Sequence, residues 1–362
     1  MKNRIITTVL AVGLVASSCQ KDKPVTPIKL ISEAPISASI TPLFSTCTSL
    51  GRYAYAISSY GNGGYMVAGG GGLAPNPPLS KSKAILIKVN EKGKIQWHQT
   101  YMDGYFKSIV YTSDNNYVIT GYDEETPAGP VIMKVDLKGN IIWKKKYDDI
   151  LGAANSVIET SEGDYVVAGT TYAGPVSERT YKGWVIKLSK DGDIRWQKSY
   201  SYINQNFFYS VKQALDGSYI VAGSTNANIS GGYNNADFWL VNLNQSGDLI
   251  WQKAIVGPFM EEARSVTLGT DGGYLLVGEG SQNVWMVKTD NQGNKLWQKT
   301  LGGSMEDYAT TVITDGNAGY ILAGASSSYD FPCISGTGAR RELLIKVDNK
   351  GNLIWGQMFN IG

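Results

Sequence analysis

Six copies of one pattern run through the chain in a common register. A chain that repeats at such a period folds by stacking one structural unit on the next. A tyrosine followed four residues later by a glycine occurs as Tyr65/Gly69, Tyr117/Gly121, Tyr165/Gly169, Tyr219/Gly223, Tyr274/Gly278 and Tyr320/Gly324. Eight residues before each tyrosine stands Ile57, Ile109, Val157, Val211, Val266 or Val312. Downstream, a glycine precedes a tryptophan by four residues at Gly93/Trp97, Gly139/Trp143, Gly192/Trp196, Gly247/Trp251, Gly293/Trp297 and Gly351/Trp355. Nine residues before each tryptophan is Lys88, Lys134, Lys187, Asn242, Lys288 or Lys346.

Each copy reads as four short strands. The first alternates, as in Ala263–Leu268. Asp271-Gly272-Gly273 then supplies a tight turn, because glycine adopts positive φ without a Cβ clash. Tyr274-Leu275-Leu276-Val277 is a continuous apolar run, as expected of a strand buried on both faces. A loop of variable length follows, then a third strand such as Leu343–Val347, a turn at Asn349-Lys350-Gly351-Asn352, and a fourth strand that carries the tryptophan. Four antiparallel strands per repeat of this size predict an all-β fold, a six-bladed β-propeller of four-stranded blades. A blade cannot bury both faces alone, so Trp97, Trp143, Trp196, Trp251, Trp297 and Trp355 are expected to pack between blades. The matched lysines are expected to edge the sheet or reach solvent, and Trp184, Trp239 and Trp285 on the third strands to add packing.

The first residues have the pattern of a targeting segment. Lys2 and Arg4 precede a short apolar stretch, Ile5–Val15, and then the small residues Ala16-Ser17-Ser18 and Cys19. This resembles a lipobox, in which the cysteine is lipidated and the chain is cut just before it; Ala16 stands where leucine or valine is preferred. The resemblance implies a signal peptide over 1–18, an anchor at Cys19 and a proline-containing tether over 19–42, with the propeller over 43–362. Gln20-Lys21-Asp22-Lys23 lacks an aspartate directly after the cysteine and resembles the charged tract of surface lipoproteins in Bacteroidetes-like bacteria. The expected address is the outer membrane, lipid-anchored, facing the periplasm or the cell surface. The whole chain carries 33 Lys and Arg against 31 Asp and Glu; without Lys2 and Arg4 the formal charge is zero. No basic excess points to nucleic acid.

Val347-Asp348-Asn349-Lys350-Gly351-Asn352-Leu353-Ile354-Trp355 resembles the tryptophan-docking motif of quinoprotein-like propellers, and Val135-Asp136 through Trp143 matches it equally well. Trp196-Gln197-Lys198, Trp251-Gln252-Lys253 and Trp297-Gln298-Lys299 resemble the unit ends of secreted and lipoprotein repeat proteins of Bacteroidetes. The likeness covers about 45 to 362, essentially the whole folded part. The superfamily includes dehydrogenases using pyrroloquinoline quinone and a lipoprotein scaffold of the outer-membrane β-barrel assembly machinery, both usually eight-bladed. The dehydrogenases carry a vicinal cysteine pair and a calcium-bound aspartate. No two cysteines are adjacent here, so no cofactor is carried over. The scaffold implies a docking role at the envelope.

Few residues offer chemistry. The single histidine, His98, is expected to face outward on a strand. One histidine does not furnish a Ser-His-Asp triad or a two-histidine metal site. Asp148-Asp149, Glu261-Glu262 and Glu306-Asp307 open repeats three, five and six, and equivalent loops would bring them to one rim. There they could hold Ca²⁺ or act as a glycosidase pair, or serve as solvated turns. Cys47 opens the first repeat and Cys333 lies in the long loop of the sixth; a disulfide between them would lock the ring. The loops joining strands two and three, at 70–84, 170–183, 224–237 and 325–342, are rich in Gly, Ser, Asn and Tyr. That composition suits hydrogen bonding and aromatic stacking to a glycan or protein. The expected function is a non-enzymatic binding or scaffold module for protein or glycan; the alternative is a glycan-acting hydrolase or lyase.

Overall fold

The computed structural model describes residues 53–60, 63–71, 82–125, 128–147, 149–175, 179–226, 236–257, 260–316, 319–332 and 340–359. Blade one contains β1 (Tyr53–Tyr60), β2 (Gly64–Gly71), β3 (Lys83–Val89) and the first half of β4 (Ile95–Tyr111). The second half of β4 opens blade two, with β5 (Tyr117–Asp123), β6 (Gly129–Val135) and β7 (Ile141–Lys146). Blade three is β8 (Gly152–Glu159), β9 (Tyr165–Ala173), β10 (Thr180–Leu188) and β11 (Ile194–Tyr200). Blade four is β12 (Asn206–Gln213), β13 (Tyr219–Thr225), β14 (Asp237–Leu243) and β15 (Leu249–Ile255). Blade five is β16 (Glu261–Leu268), β17 (Tyr274–Gly280), β18 (Asn283–Thr289) and β19 (Lys295–Leu301). Blade six is β20 (Asp307–Thr314), β21 (Tyr320–Ser326), β22 (Arg341–Val347) and β23 (Leu353–Phe359). Every pairing within a blade is antiparallel between chain neighbours, and the continuous β4 joins the first two blades in one sheet. The all-β propeller architecture expected from the repeat is therefore the observed one.

The second and third strands are largely buried because their two faces serve two interfaces. On β9, Val166 and Ala168 join the cluster shared with blade four, while Tyr165 and Val167 join the one shared with blade two. Five clusters of this kind link successive blades. A sixth, of Val67, Ile85, Ile87 and Val89, covers the face of blade one turned away from blade two. Inner strands are also stitched by serines that the repeat pattern did not reveal. Ser108, Ser156, Ser210 and Ser265 Oγ accept from the N–H of Val157, Val211, Val266 and Val312 of the following blade, at 3.2, 3.2, 3.2 and 3.3 Å.

The tryptophans do join blades, but from the half-buried outer strand. Trp97, Trp143, Trp196, Trp251 and Trp297 each lie against the turn glycine of the next blade. A Cβ on Gly139, Gly192, Gly247, Gly293 or Gly351 would stand 2.6 to 3.0 Å from the ring of Trp97, Trp143, Trp196, Trp251 or Trp297 respectively. Trp143 and Trp196 Nε1 also donate to the Lys190 and Gln245 carbonyls. These glycines thus serve two needs: φ between +74° and +88° in the turn, and room for a neighbour's indole.

The repeated lysines depart from the sequence expectation. Lys134, Lys187 and Lys288 are buried. Lys134 Nζ donates to Asp114 Oδ2 at 2.6 Å and to the Tyr165 hydroxyl of blade three at 2.9 Å. Burial alone would pull its ammonium down, but these bonds outweigh it and hold the pKa above the ordinary lysine value. Lys187 pairs with Glu162 at 3.0 Å, and Lys288 with Asp271 at 2.8 Å. Each stem lies in the core while the head reaches a turn carboxylate. Lys134→Met should lower stability by about 1–3 kcal/mol, because it strands the Tyr165 hydroxyl in the interface. Lys92→Met, on an exposed turn, should change it by under about 0.5 kcal/mol. Chemical denaturation of both variants checks this.

Candidate functional site at the channel mouth

At one end of the propeller each blade begins its first and third strands and ends its second and fourth; this end is the mouth rim. The hairpins lie at the other end. Near the mouth every inner strand carries a β-bulge in the same place, as between Phe106/Ser108, Ala154/Ser156, Phe208/Ser210, Ala263/Ser265 and Ala309/Thr311. A bulge inserts one unpaired residue and re-aims the side chains around it. The backbone device repeats, but the inserted residues do not: they are Tyr55, Lys107, Asn155, Tyr209, Arg264 and Thr310.

Around these residues the mouth divides into an aromatic arc and an ionic arc. The aromatic arc crosses blades one to four. Tyr55 and Tyr105 have ring centroids 6.0 Å apart, and Tyr105 and its cross-strand partner Tyr122 are 5.8 Å apart. Tyr172 and its cross-strand partner Tyr181 are separated by 5.6 Å, Tyr181 and Phe207 by 5.0 Å, and Phe207 and Tyr209 by 6.3 Å. Arg179 links the two runs: its guanidinium lies 4.3 Å from the Tyr172 ring and within electrostatic reach of Tyr122. Tyr105 and Tyr209 are each pushed up to about 12, chiefly by burial, so both remain hydroxyl donors at neutral pH.

The ionic arc belongs to blades five and six. Arg264 pairs with Glu262 and lies over the Tyr209 ring at 4.7 Å. Glu279 is the direct cross-strand partner of Glu262. Burial raises the Glu279 carboxyl, and the Glu306 charge raises it further. On the opposite side, Lys107 Nζ lies 4.5 Å from the Tyr55 ring and 5.0 Å from that of Tyr105. Its ammonium is pulled down by burial and then by Arg264. Lys107 of blade two and Arg264 of blade five are therefore within electrostatic reach of one another.

The carboxylates singled out in the sequence divide between two roles. Glu261 and Asp307 occupy equivalent first positions of β16 and β20 and are buried. Asp307 accepts from Gly303 N–H at 2.8 Å and Ser328 Oγ at 2.9 Å, so it ties down the loop preceding its blade. Glu262 lies in the ionic arc, and Glu306 shares a shallow depression with Glu279, Gln282, Ser304 and Met305. Asp149 is exposed between β7 and β8. Asp148, Cys19, Cys47 and Cys333 lie outside the described residues. Among the described residues no three of His, Cys, Asp and Glu are grouped to hold a metal ion. His98 is exposed on β4. Sequence reasoning did not isolate Tyr105, Phe207 or Tyr209. A signal existed for two of them: Tyr105 and Phe207 each stand four residues before the repeated Ile109 and Val211.

Residues 79–260, half of the chain, match the family model described as "Outer membrane protein assembly factor BamB". The chain belongs to this family. The match covers blades two and three and the strands of blade four, with the later part of blade one. No curated protein sequence matches the chain. Among solved structures, a Lactobacillus plantarum protein superposes with a TM-score of 0.53 at 11% identity, covering 84% of this chain and 84% of that one. Sqt1 from Chaetomium thermophilum superposes with a TM-score of 0.50 at 11% identity, covering 84% of this chain and 71% of that one. At such identity these likenesses speak for the fold alone.

Proposed function

We propose that this BamB-family propeller is a lipid-anchored outer-membrane module that binds protein or glycan, without catalysis, through its mouth rim. One observation carries the reading: the repeated residues are used up in turns and packing, while the bulges direct a non-repeating set of aromatic and charged side chains to one mouth. Loops and strand ends that vary on a constant scaffold are where propellers carry recognition. The family description, an outer-membrane assembly factor, and the signal pattern over 1–18 that precedes Cys19 support an envelope address. A photoreactive residue at Tyr308, on the mouth, should give discrete cross-linked products in cells that express the full chain. The same residue at Leu215, on the opposite rim and 92% exposed, should give none. Products from Leu215 alone would place the working surface at the wrong end.

A second reading has one specific support. Glu262 and Glu279 face each other in register, one paired with Arg264 and the other raised towards the protonated form. Directly opposed like charges destabilise a sheet, and divergent carboxyl environments are what acid-and-nucleophile chemistry on glycans needs. Hydrolysis of a glycan by the wild-type chain that is lost in Glu279→Gln would establish this reading in place of the first.

A further inference from the structure

The aromatic arc is more particular than a general binding surface. Its rings form two runs, Tyr55–Tyr105–Tyr122 and Tyr172–Tyr181–Phe207–Tyr209, with steps of 5.0 to 6.3 Å inside each and Arg179 between them. Within the two cross-strand pairs and at the Tyr181–Phe207 step, neighbouring planes are inclined by 31° to 50°. Phe207 and Tyr209 are parallel, at 2°, and stack; the other rings are tilted against one another, so their faces are not consumed by stacking on each other. A row of half-buried aromatic faces spanning several blades suits a long, thin ligand made of ring-sized units. Six of the seven rings end in a hydroxyl and all seven lie on strands or their ends, so the row is both polar-edged and rigid.

Charge narrows the class. Arg179 and Lys107 are engaged over the tyrosine rings, and Arg264 is paired with Glu262. Glu124 stands within electrostatic reach of Tyr105 and Tyr122. A polyanion gains its affinity when protein cations displace its condensed counterions, and among the described residues the carboxylates Glu124, Glu262, Glu279 and Glu306 at this mouth oppose that. We infer that the Tyr105–Tyr122–Tyr172–Tyr181–Phe207 row is a subsite for an extended neutral glycan, its sugar faces lying on the rings and its hydroxyls meeting the tyrosine and arginine edges. This rests on the mouth being the working surface.

The test uses the full mature chain titrated with neutral hexasaccharides: cellohexaose, xylohexaose, maltohexaose, mannohexaose and chitohexaose. At least one should bind, with an affinity that changes less than about threefold between roughly 50 and 500 mM NaCl. Tyr181→Ala and Tyr122→Ala should each weaken it by about tenfold, the loss of one stacking contact. Tyr181→Phe should retain binding, and Leu215→Ala should match the wild type. Circular dichroism establishes that each variant is folded. Failure of all five sugars to bind folded protein would overturn the inference, as would binding indifferent to both alanine substitutions. So would a preference for an oligothymidine probe that salt abolishes. If the sugars fail while the Tyr308 cross-links persist, the glycan assignment falls and the mouth remains a docking surface; if both fail, the functional reading falls with it.

Discussion

Gly223→Ala is expected to destabilise the protein by on the order of 3 kcal/mol or more, the upper range for forcing atoms into a packed region. Gly223 is one of the six glycines that follow the repeated tyrosines. In β12 the bulge between Phe208 and Ser210 brings the Phe207 carbonyl directly over it. An added methyl would overlap that oxygen and crowd the Phe208 Cα. Both obstacles are backbone, so no side-chain rotation relieves them. The same collision faces Gly121, Gly169, Gly278 and Gly324, against the carbonyls of Tyr105, Ala153, Glu262 and Tyr308. The bulge thus explains the repeated glycine, and the glycine permits the bulge that sets Phe207 and Tyr209 on the mouth. Gly272→Ala is the informative comparison. Its φ of +81° is strained for alanine, but nothing lies within 4 Å of a Cβ there. It should lose only about 1–2 kcal/mol, the penalty of the left-handed backbone. Equal losses at the two sites, measured by urea denaturation, would refute the steric explanation.

Trp239→Ala is expected to lose about 3–5 kcal/mol, as for other large-to-small changes at fully buried aromatics. The indole is entirely buried between blades three and four, 4.4 Å from the Phe208 ring and inclined by only 18° to it. Its Nε1 donates to Gln252 Oε1 at 3.2 Å. Removing it empties the centre of one inter-blade cluster. Because successive blades are coupled through such clusters, the effect should appear as a lowered unfolding midpoint of the whole propeller. Leu215→Ala, at a turn tip, should stay within about 0.5 kcal/mol of the wild type.

These residues also indicate what a single sequence can reveal. Tyr, Gly and Trp at fixed spacing identify a blade because they do the same local task six times. The continuous apolar runs announce strands covered on both sides, and β9 shows why: alternate residues face different neighbours. The buried lysines were not legible. Lys134 is enclosed only because Tyr165 of the next blade closes over it, a relation that spacing within one copy cannot express. The acidic pairs were legible as a rim feature but not in their roles. Adjacent residues of a strand face opposite ways, so Glu261 went inward and Glu262 to the mouth. The aromatic arc was half legible. Tyr172 and Tyr181 fall in the segment 170–183, read from its composition as a recognition loop, but the structure extends β9 and β10 over both, and their meeting with Phe207 depends on how two blades are set side by side. The bulged residues share a position and no chemistry, which hides them from any search for repeats.

The central claim is that the repeats build the scaffold and the non-repeating aromatic arc holds the ligand. A crystal structure of the mature chain with the hexasaccharide it binds most tightly in solution tests this most directly. Sugar rings lying over Tyr105, Tyr122, Tyr172, Tyr181 and Phe207 are the predicted result. A sugar seated on the hairpin rim, or along the outer tryptophans, with the aromatic arc bare, would contradict it.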